Sequence, residues 1–373
     1  MSQPKPEPLK QHPLTSVPYS AQADIMDVTI RRADRTDDAA RDSYVRAHQR
    51  GSFFHLSTWG RVVEKVMKHR RVDLVALQGP DIVGMMPVSI CRGLRGRSLI
   101  SVPYGVYGGA IGDSPGIELS LFRMAEQHAQ DLRARRLEVR TRLDPGLPLS
   151  DELVASELYA TFVKQLPESV DEVLAGMPKK SRADARKARK THGLELLEGR
   201  EFLPELVELF HRNKRQLGSP GLPLSWFEEL LADFGEQITV HVVRKGDETL
   251  CAVMSFLYED QVLAYYSGSA EDVDRNYKAS AFMYMALQEW SVENGYRVFD
   301  FGRSRKDSGA FDFKRRQGFE PADLQYRYRL LKDKGLPSLT PSNPKTKGLR
   351  DTWSKLPIWL TTMLSTPASR LLP

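Results

Sequence analysis

The sequence predicts an α+β chain of two tandem units packed around a shared cleft. Two observations carry this. Runs rich in β-branched and aromatic residues, punctuated by glycine turns, alternate with stretches whose apolar residues recur with a helical period. The order of those segments over residues 36–140 then repeats over residues 201–301.

In the first unit, helical stretches at 36–49 and 58–68 precede strands at 72–77, 82–90 and 99–102. A glycine-rich loop at 104–113 leads into a helix over 116–135 and a strand at 137–140. In the second unit, helical stretches at 201–217 and 226–234 precede strands at 238–243, 250–257 and 262–266. A Ser/Gly loop follows, then a helix that reaches Glu293 and stops at Gly295, and a strand at 298–301. The boundary falls near Leu166, giving units over 27–166 and 167–335. Residues 1–26 read as a disordered lead without the apolar segment of a secretory signal. Residues 336–373 read as a Pro-punctuated basic and amphipathic tail.

Composition narrows the function classes. With 41% hydrophobic and 27% charged residues and a mean hydropathy of −0.42, the chain can fill two cores, and no apolar run is long enough to span a bilayer. Cys91 and Cys251 sit far apart in strand-like runs and read as reduced, buried small hydrophobes. The eight histidines lack metal-ligand spacing, so no metal and no bound cofactor are expected. A cytoplasmic location follows from these readings. The formal charge of +6 favours anionic partners, whether a phosphate-bearing substrate, RNA or an anionic membrane.

The segment from Asp300 to Pro321 is the most informative. It leaves a strand, gathers Arg303, Arg305, Lys306, Lys314, Arg315 and Arg316, and ends in a short helix stopped by Gly318. Strand-to-helix loops at a sheet edge collect ligands because the N–H groups of a helix start favour anions. Asp300, at the strand end, could take a proton from an attacking amine or only pair with Arg303. Tyr104 and Tyr107 flank glycines after a strand, and Tyr265 and Tyr266 hold the matching place in the second unit. Such tyrosines either line a cleft with their hydroxyls or pack aromatically between the units. The spacing of Gly105, Gly108, Gly109 and Gly112 is not that of a dinucleotide fingerprint. Lys179, Arg182, Arg186, Arg189 and Lys190 recur at three- and four-residue steps on one helix face, a solvated stripe or a cradle for a phosphate-rich substrate. In the tail, Leu349, Trp353, Leu356, Leu360 and Met363 form an apolar face that docks on the protein's own surface or lies in a membrane interface.

The repeated order of strand, two helices, three antiparallel strands, helix and strand resembles the acyl-CoA N-acyltransferase-like (GNAT) fold. The run Asp300-Phe-Gly-Arg-Ser, followed by Gly309-Ala-Phe-Asp-Phe-Lys-Arg-Arg-Gln-Gly-Phe319, resembles the C-terminal signature of the FemAB family, most closely the branch found beside exosortase/PEP-CTERM systems. The likeness runs from about Asp27 to Leu331. It implies transfer of an acyl or aminoacyl group onto an amine of a cell-envelope or exopolysaccharide-related acceptor, with aminoacyl-tRNA or acyl-CoA as donor and tRNA as a partner in the first case. It also implies a role for the lysine of a Phe-Lys motif, here Phe313-Lys314, which would aim its charge at the oxyanion of the tetrahedral intermediate. Arg303, Arg315, Arg182, Arg186, Tyr104, Tyr107 and Tyr266 are the expected substrate contacts. The chain departs from the cell-wall enzymes at Gln317-Gly318, where those commonly have Phe-Gly, and lacks their helical-arm insertion. Both departures weigh against a cell-wall peptide acceptor and a tRNA donor. A third reading keeps the fold as a non-catalytic RNA- or partner-binding module.

Overall fold

The computed structural model describes residues 27–142, 153–336 and 344–373. The lead expected at 1–26 lies outside them. The second half is built on one continuous sheet in the order Glu195–Glu198, Ile238–Lys245, Glu248–Tyr258, Gln261–Ser269, Val298–Asp300, Tyr159–Gln165 and Ser304–Arg305, with Pro321–Asp323 also paired to Tyr159–Gln165. The Lys245–Gly246–Asp247 turn sets the first hairpin, Gly246 taking a left-handed φ of +59° that side-chain-bearing residues avoid. The helix Ala279–Glu293 then crosses back so that Val298–Asp300 runs parallel to Gln261–Ser269. Their pairing covers only 261–263 against 298–300, after which the two strands part. The first half makes the same crossover, with Gly96–Ile100 parallel to Arg136–Val139 across the helix Pro115–Asp131.

Two features depart from the sequence expectation. The single strand expected at 82–90 is two strands, Asp81–Met86 and Ser89–Gly93, in different sheets. Pro87 lies between them, and proline cannot donate to a sheet ladder. The next amide, Val88 N–H, donates to the Asp73 carboxylate at 2.8 Å. The first half is therefore split into a four-stranded and a six-stranded sheet. The second departure is an exchange of strands. Tyr159–Gln165, placed by sequence before the boundary at Leu166, pairs with Val298–Asp300 in the second-half sheet. Tyr326–Leu330, near the end of the second unit, pairs between Arg136–Val139 and Leu153–Ser156 in the first.

The halves also share a core. Helix Ser57–Met67 packs on helix Leu224–Phe234, Trp59 meets Trp226 edge to face at 5.4 Å, and Phe53 stacks on Phe256 at 4.5 Å. One hydrophobic cluster runs from Val45 through Phe53, Trp226 and Phe256 to Tyr326. Burying such aromatics is worth about 1.5–3 kcal/mol each, so the halves form one folding unit. Cys91 and Cys251 are free and buried, and burial pushes both thiols up. No described helix is long and apolar enough to cross a membrane, and the described residues hold no cluster that could bind a metal.

Candidate active site

Asp300 ends its strand fully buried at the seam between the halves. Its Oδ1 accepts from Gly302 N–H at 2.6 Å, from the Tyr107 hydroxyl at 3.1 Å and from Thr161 Oγ1 at 3.4 Å. Its Oδ2 accepts from Gln261 Nε2 at 2.9 Å. Tyr107 comes from the glycine-rich loop of the first half, Thr161 from the exchanged strand and Gln261 from the neighbouring parallel strand. Burial pushes the Asp300 carboxyl up, while the Arg142 guanidinium, the Gly302 N–H, the Tyr107 hydroxyl and the Lys314 ammonium oppose it. Asp300 makes no ion pair with Arg303; four donors from two strands and two loops hold it instead.

Above this carboxylate lies a cleft of about 310 Å³ between the halves, lined among others by Ser52, His55, Tyr107, Gly109, Arg142 and Gln261. Gly108 and Gly109 let the loop lie this close, since a Cβ on Gly108 would come 2.2 Å from Val102 Cγ1 and one on Gly109 2.3 Å from Thr141 Cγ2. His55 binds Ser52 Oγ through Nδ1 at 2.8 Å and the Gly109 carbonyl through Nε2 at 3.2 Å. Burial pulls its pKa down to about 3, so it is a neutral framework imidazole at physiological pH. Arg142 is exposed at the mouth, its guanidinium 5.9 Å from the centre of the Tyr107 ring.

Lys314 sits on the helix Gly309–Arg316, whose start is capped by Ser308 accepting from Phe311 N–H at 3.2 Å. Phe311 packs edge-on against Phe162, and Phe313 packs on Tyr284. Together they pin the helix beneath the strand end. The lysine was expected to aim at a ligand. Its ammonium instead donates to the carbonyls of Phe301, Gly302 and Arg303 at 2.6, 3.1 and 3.4 Å. It also lies 5.5 Å from the Phe162 and Phe301 ring centres. Burial pulls its pKa down to about 7, with Asp300 pushing it up and Arg303 pulling it further down. Lys314 thus ties down the turn that follows Asp300.

The other expected contacts divide. Tyr107 reaches the site. Tyr104 does not: its hydroxyl meets His69 Nε2 at 2.9 Å and donates to the Ser369 carbonyl at 3.0 Å, under the C-terminal helix. Tyr266 is core, its hydroxyl accepting from Trp226 Nε1 at 3.0 Å. Its neighbour Tyr265 donates to the Tyr104 carbonyl at 2.7 Å, so this trio packs the halves together. Arg303 lies on the Tyr159 ring at 4.5 Å, beside the exchanged strands rather than in the cleft. Arg315 lines a shallow surface pocket with Asp312, Arg316, Phe319 and Glu320. On the basic helix Lys179–His192, Ser181, Ala185 and Ala188 face inward and leave the stripe outside. Arg182 donates to the Ala175 carbonyl at 2.9 Å and Arg189 pairs with Glu289, whereas Arg186 is exposed. Gln261, Thr161 and Arg142 were not foreseen. Gln261 opens a strand and Thr161 sits inside one, and no sequence pattern separates such residues from ordinary sheet positions.

Residues 177–315 match the acetyltransferase (GNAT) domain. FemX shares the fold at a TM-score of 0.62 and 13% identity, covering 82% of this chain and 98% of FemX. The fold is two tandem GNAT-like domains. The C-terminal domain of a putative lysylphosphatidylglycerol synthetase from Agrobacterium fabrum aligns at a TM-score of 0.53 and 15% identity, over 80% of this chain and 93% of that one. A tandem GNAT protein from the clavulanic acid biosynthesis pathway aligns at 0.50 and 13%, over 83% and 99%. No curated protein sequence matches the chain. The GNAT domain of the second half makes the chain an acyltransferase, and its arrangement with the first half is FemAB-like.

Proposed function

We propose that the chain moves an aminoacyl group from an ester donor onto an amine, with the chemistry in the cleft above Asp300. The observation that carries this is the buried Asp300 carboxylate joined to the cleft through the Tyr107 hydroxyl. The amine nitrogen attacks the ester carbonyl carbon, forming C–N, and the intermediate collapses by breaking C–O. The amine proton passes to the Tyr107 oxygen as the tyrosine proton moves to Asp300, and Asp300 returns it by the same route to the departing alkoxide. Gln261 and Gly302 N–H hold the carboxylate still during both transfers. Lys314, through its bonds to the Phe301, Gly302 and Arg303 carbonyls, holds the turn whose Gly302 N–H keeps Asp300 in place during both transfers.

A second observation favours an aminoacyl donor over acyl-CoA. A coenzyme pyrophosphate would rest on the N–H groups at the start of the helix after the third strand of a unit. In the second half that start already holds Asp274, which accepts from Ser280 N–H at 2.7 Å and Ser280 Oγ at 2.8 Å. In the first half Glu118 accepts from Gly112 N–H at 3.1 Å beside the helix start and pairs with Arg50. A second anion at either place would face a carboxylate. The lysyl group named in the synthetase of similar fold agrees with this choice. The carboxylates at both helix starts outweigh the Gln317-Gly318 departure and return tRNA as the donor carrier. By the resemblance of residues 300–321, we place the reaction in the cytoplasm, on a cell-envelope or exopolysaccharide-related amine of an exosortase-type system.

The test supplies the protein with isotopically labelled aminoacyl-tRNA or labelled acetyl-CoA and a cell extract as the source of acceptors. Label should pass from the aminoacyl donor to small-molecule amines, and Tyr107→Phe should abolish the transfer. Faster transfer from acetyl-CoA, or full activity in the phenylalanine variant, would overturn the proposal.

A further inference from the structure

The C-terminal helix Ile358–Arg370 is amphipathic in the reverse sense for a docked helix. Thr361, Ser365 and Ser369, spaced four apart, are its buried residues, whereas Trp359 and Met363 on the opposite side are 65% and 60% exposed. A helix packed on a body for its own stability would turn its indole inward. Here the polar face is held by specific bonds. Ser365 Oγ accepts from Gly221 N–H at 3.1 Å, the Ser369 carbonyl accepts from Tyr104, and Arg370 donates to the Val66 carbonyl at 2.8 Å. The apolar face is therefore presented on a firm platform.

The presentation extends beyond this helix. Leu349 on the preceding helix Pro344–Lys355 is 74% exposed. Arg350 beside it donates to the carbonyl of Leu217, itself 62% exposed. At the other end, Gly93 lies against the Leu371 carbonyl, and the adjacent hairpin tip puts Leu94 out at 82% exposure. Cations accompany the apolar groups: Lys347, Arg350, Lys355 and Arg370 stand against the single acid Asp351 over 347–373, and Arg92, Arg95 and Arg97 flank Leu94.

We infer that this face is a docking surface for an anionic lipid bilayer, with Trp359 and Met363 entering the boundary between headgroups and acyl chains and the lysines and arginines meeting lipid phosphates. Exposed apolar groups interspersed along the chain with cations, and with one carboxylate over 347–373, match that surface in polarity and in charge. A soluble partner or a second copy would be expected to bring carboxylates to those cations.

The experiment is vesicle co-sedimentation of the full chain. Vesicles of equal parts phosphatidylglycerol and phosphatidylcholine should pellet the protein, and vesicles of phosphatidylcholine alone should not. The double change Trp359→Ser with Met363→Ser should lower the partition coefficient about tenfold or more. Lys347→Gln and Lys355→Gln should each lower it about fivefold. None of these side chains faces the body, so an unchanged melting temperature controls for folding, and Trp359→Phe, which keeps an aromatic anchor, should retain binding. Three results would overturn the inference: equal pelleting of the serine variant, pelleting by neutral vesicles to the same extent, or a lipid-free self-association that buries Trp359. Shielding of Trp359 that disappears when residues 2–26 are removed would assign the face to the chain's own lead instead.

Discussion

Replacing Lys314 by methionine removes one charge and three donors from beneath the 301–303 turn while keeping the length of the side chain. Its pKa falls from the ordinary 10.5 to about 7 in the folded protein, burial being the main cause. Between those values the unfolded chain holds a proton that the folded chain has released. Folding stability should therefore climb as pH rises from about 7 toward 10.5, by at most about 1.4 kcal/mol per pH unit. From pH 7.5 to 9 a full shift corresponds to about 2 kcal/mol, and solvent access at this half-buried ammonium trims it to about 1–2 kcal/mol. The methionine variant lacks that gain, so the stability gap between wild type and variant should widen in favour of wild type across the interval. Urea unfolding at the two pH values, followed by tryptophan fluorescence, reads it directly. The exchanged strands bind the two sheets into one body, so a single transition is expected. Parallel pH dependences in the two proteins would show that Lys314 keeps an ordinary pKa and would remove the basis for its placement. The same variant should lose about 10–10² in turnover with little change in substrate affinity, since the turn it frees positions Asp300 and not the bound substrate.

Other predictions follow from the same contacts. Asp300→Asn and Tyr107→Phe should each cost about 10²–10⁴ in kcat, and the double variant should be scarcely slower than either, because both act on one proton path; additive losses would separate the two residues. The acid limb of the rate profile should lie above the ordinary carboxylate range because burial raises Asp300, and Arg142→Ala should move it higher still by removing the largest opposing charge; a limb that stays put excludes Asp300 as its origin. On the basic helix, Arg189→Gln should lower the melting temperature by stranding Glu289, whereas Arg186→Gln should leave it alone and weaken salt-sensitive substrate binding. Equal thermal effects of the two changes would contradict the ion-pair assignment.

How far the sequence disclosed this depends on how far apart the partners lie. Helices such as Ser57–Met67 and Leu224–Phe234, and strands such as Glu248–Tyr258, are marked by their own periodicity and turns and stand where expected. Pro87 carries the break in the first half, but an apolar run on both sides masked it. The exchange of Tyr159–Gln165 and Tyr326–Leu330 has no local mark, because a strand's pattern gives its faces and not the sheet that receives it. The site shows the same limit. Asp300 and Tyr107 could be picked out as a strand-end carboxylate and a loop tyrosine, yet Tyr104, three residues away with the same glycine neighbour, turns toward the C-terminal helix. Which tyrosine faces the cleft is decided by the packing of the loop on Val102 and Thr141.

The exchanged strands also set an order of events at the ribosome. Arg136–Val139 leaves the exit tunnel with no neighbour on one side, because the strand that pairs there is Tyr326–Leu330. At about 5–20 residues per second the missing strand emerges roughly 10–40 s later. Throughout that interval the first sheet has an open row of amide and carbonyl groups, the feature that recruits unrelated strands. Tyr159–Gln165 waits in turn for Val298–Asp300. Neither half can finish before the other is nearly made, and a chain truncated after the second GNAT-like domain's central strands would leave the first unfinished as well.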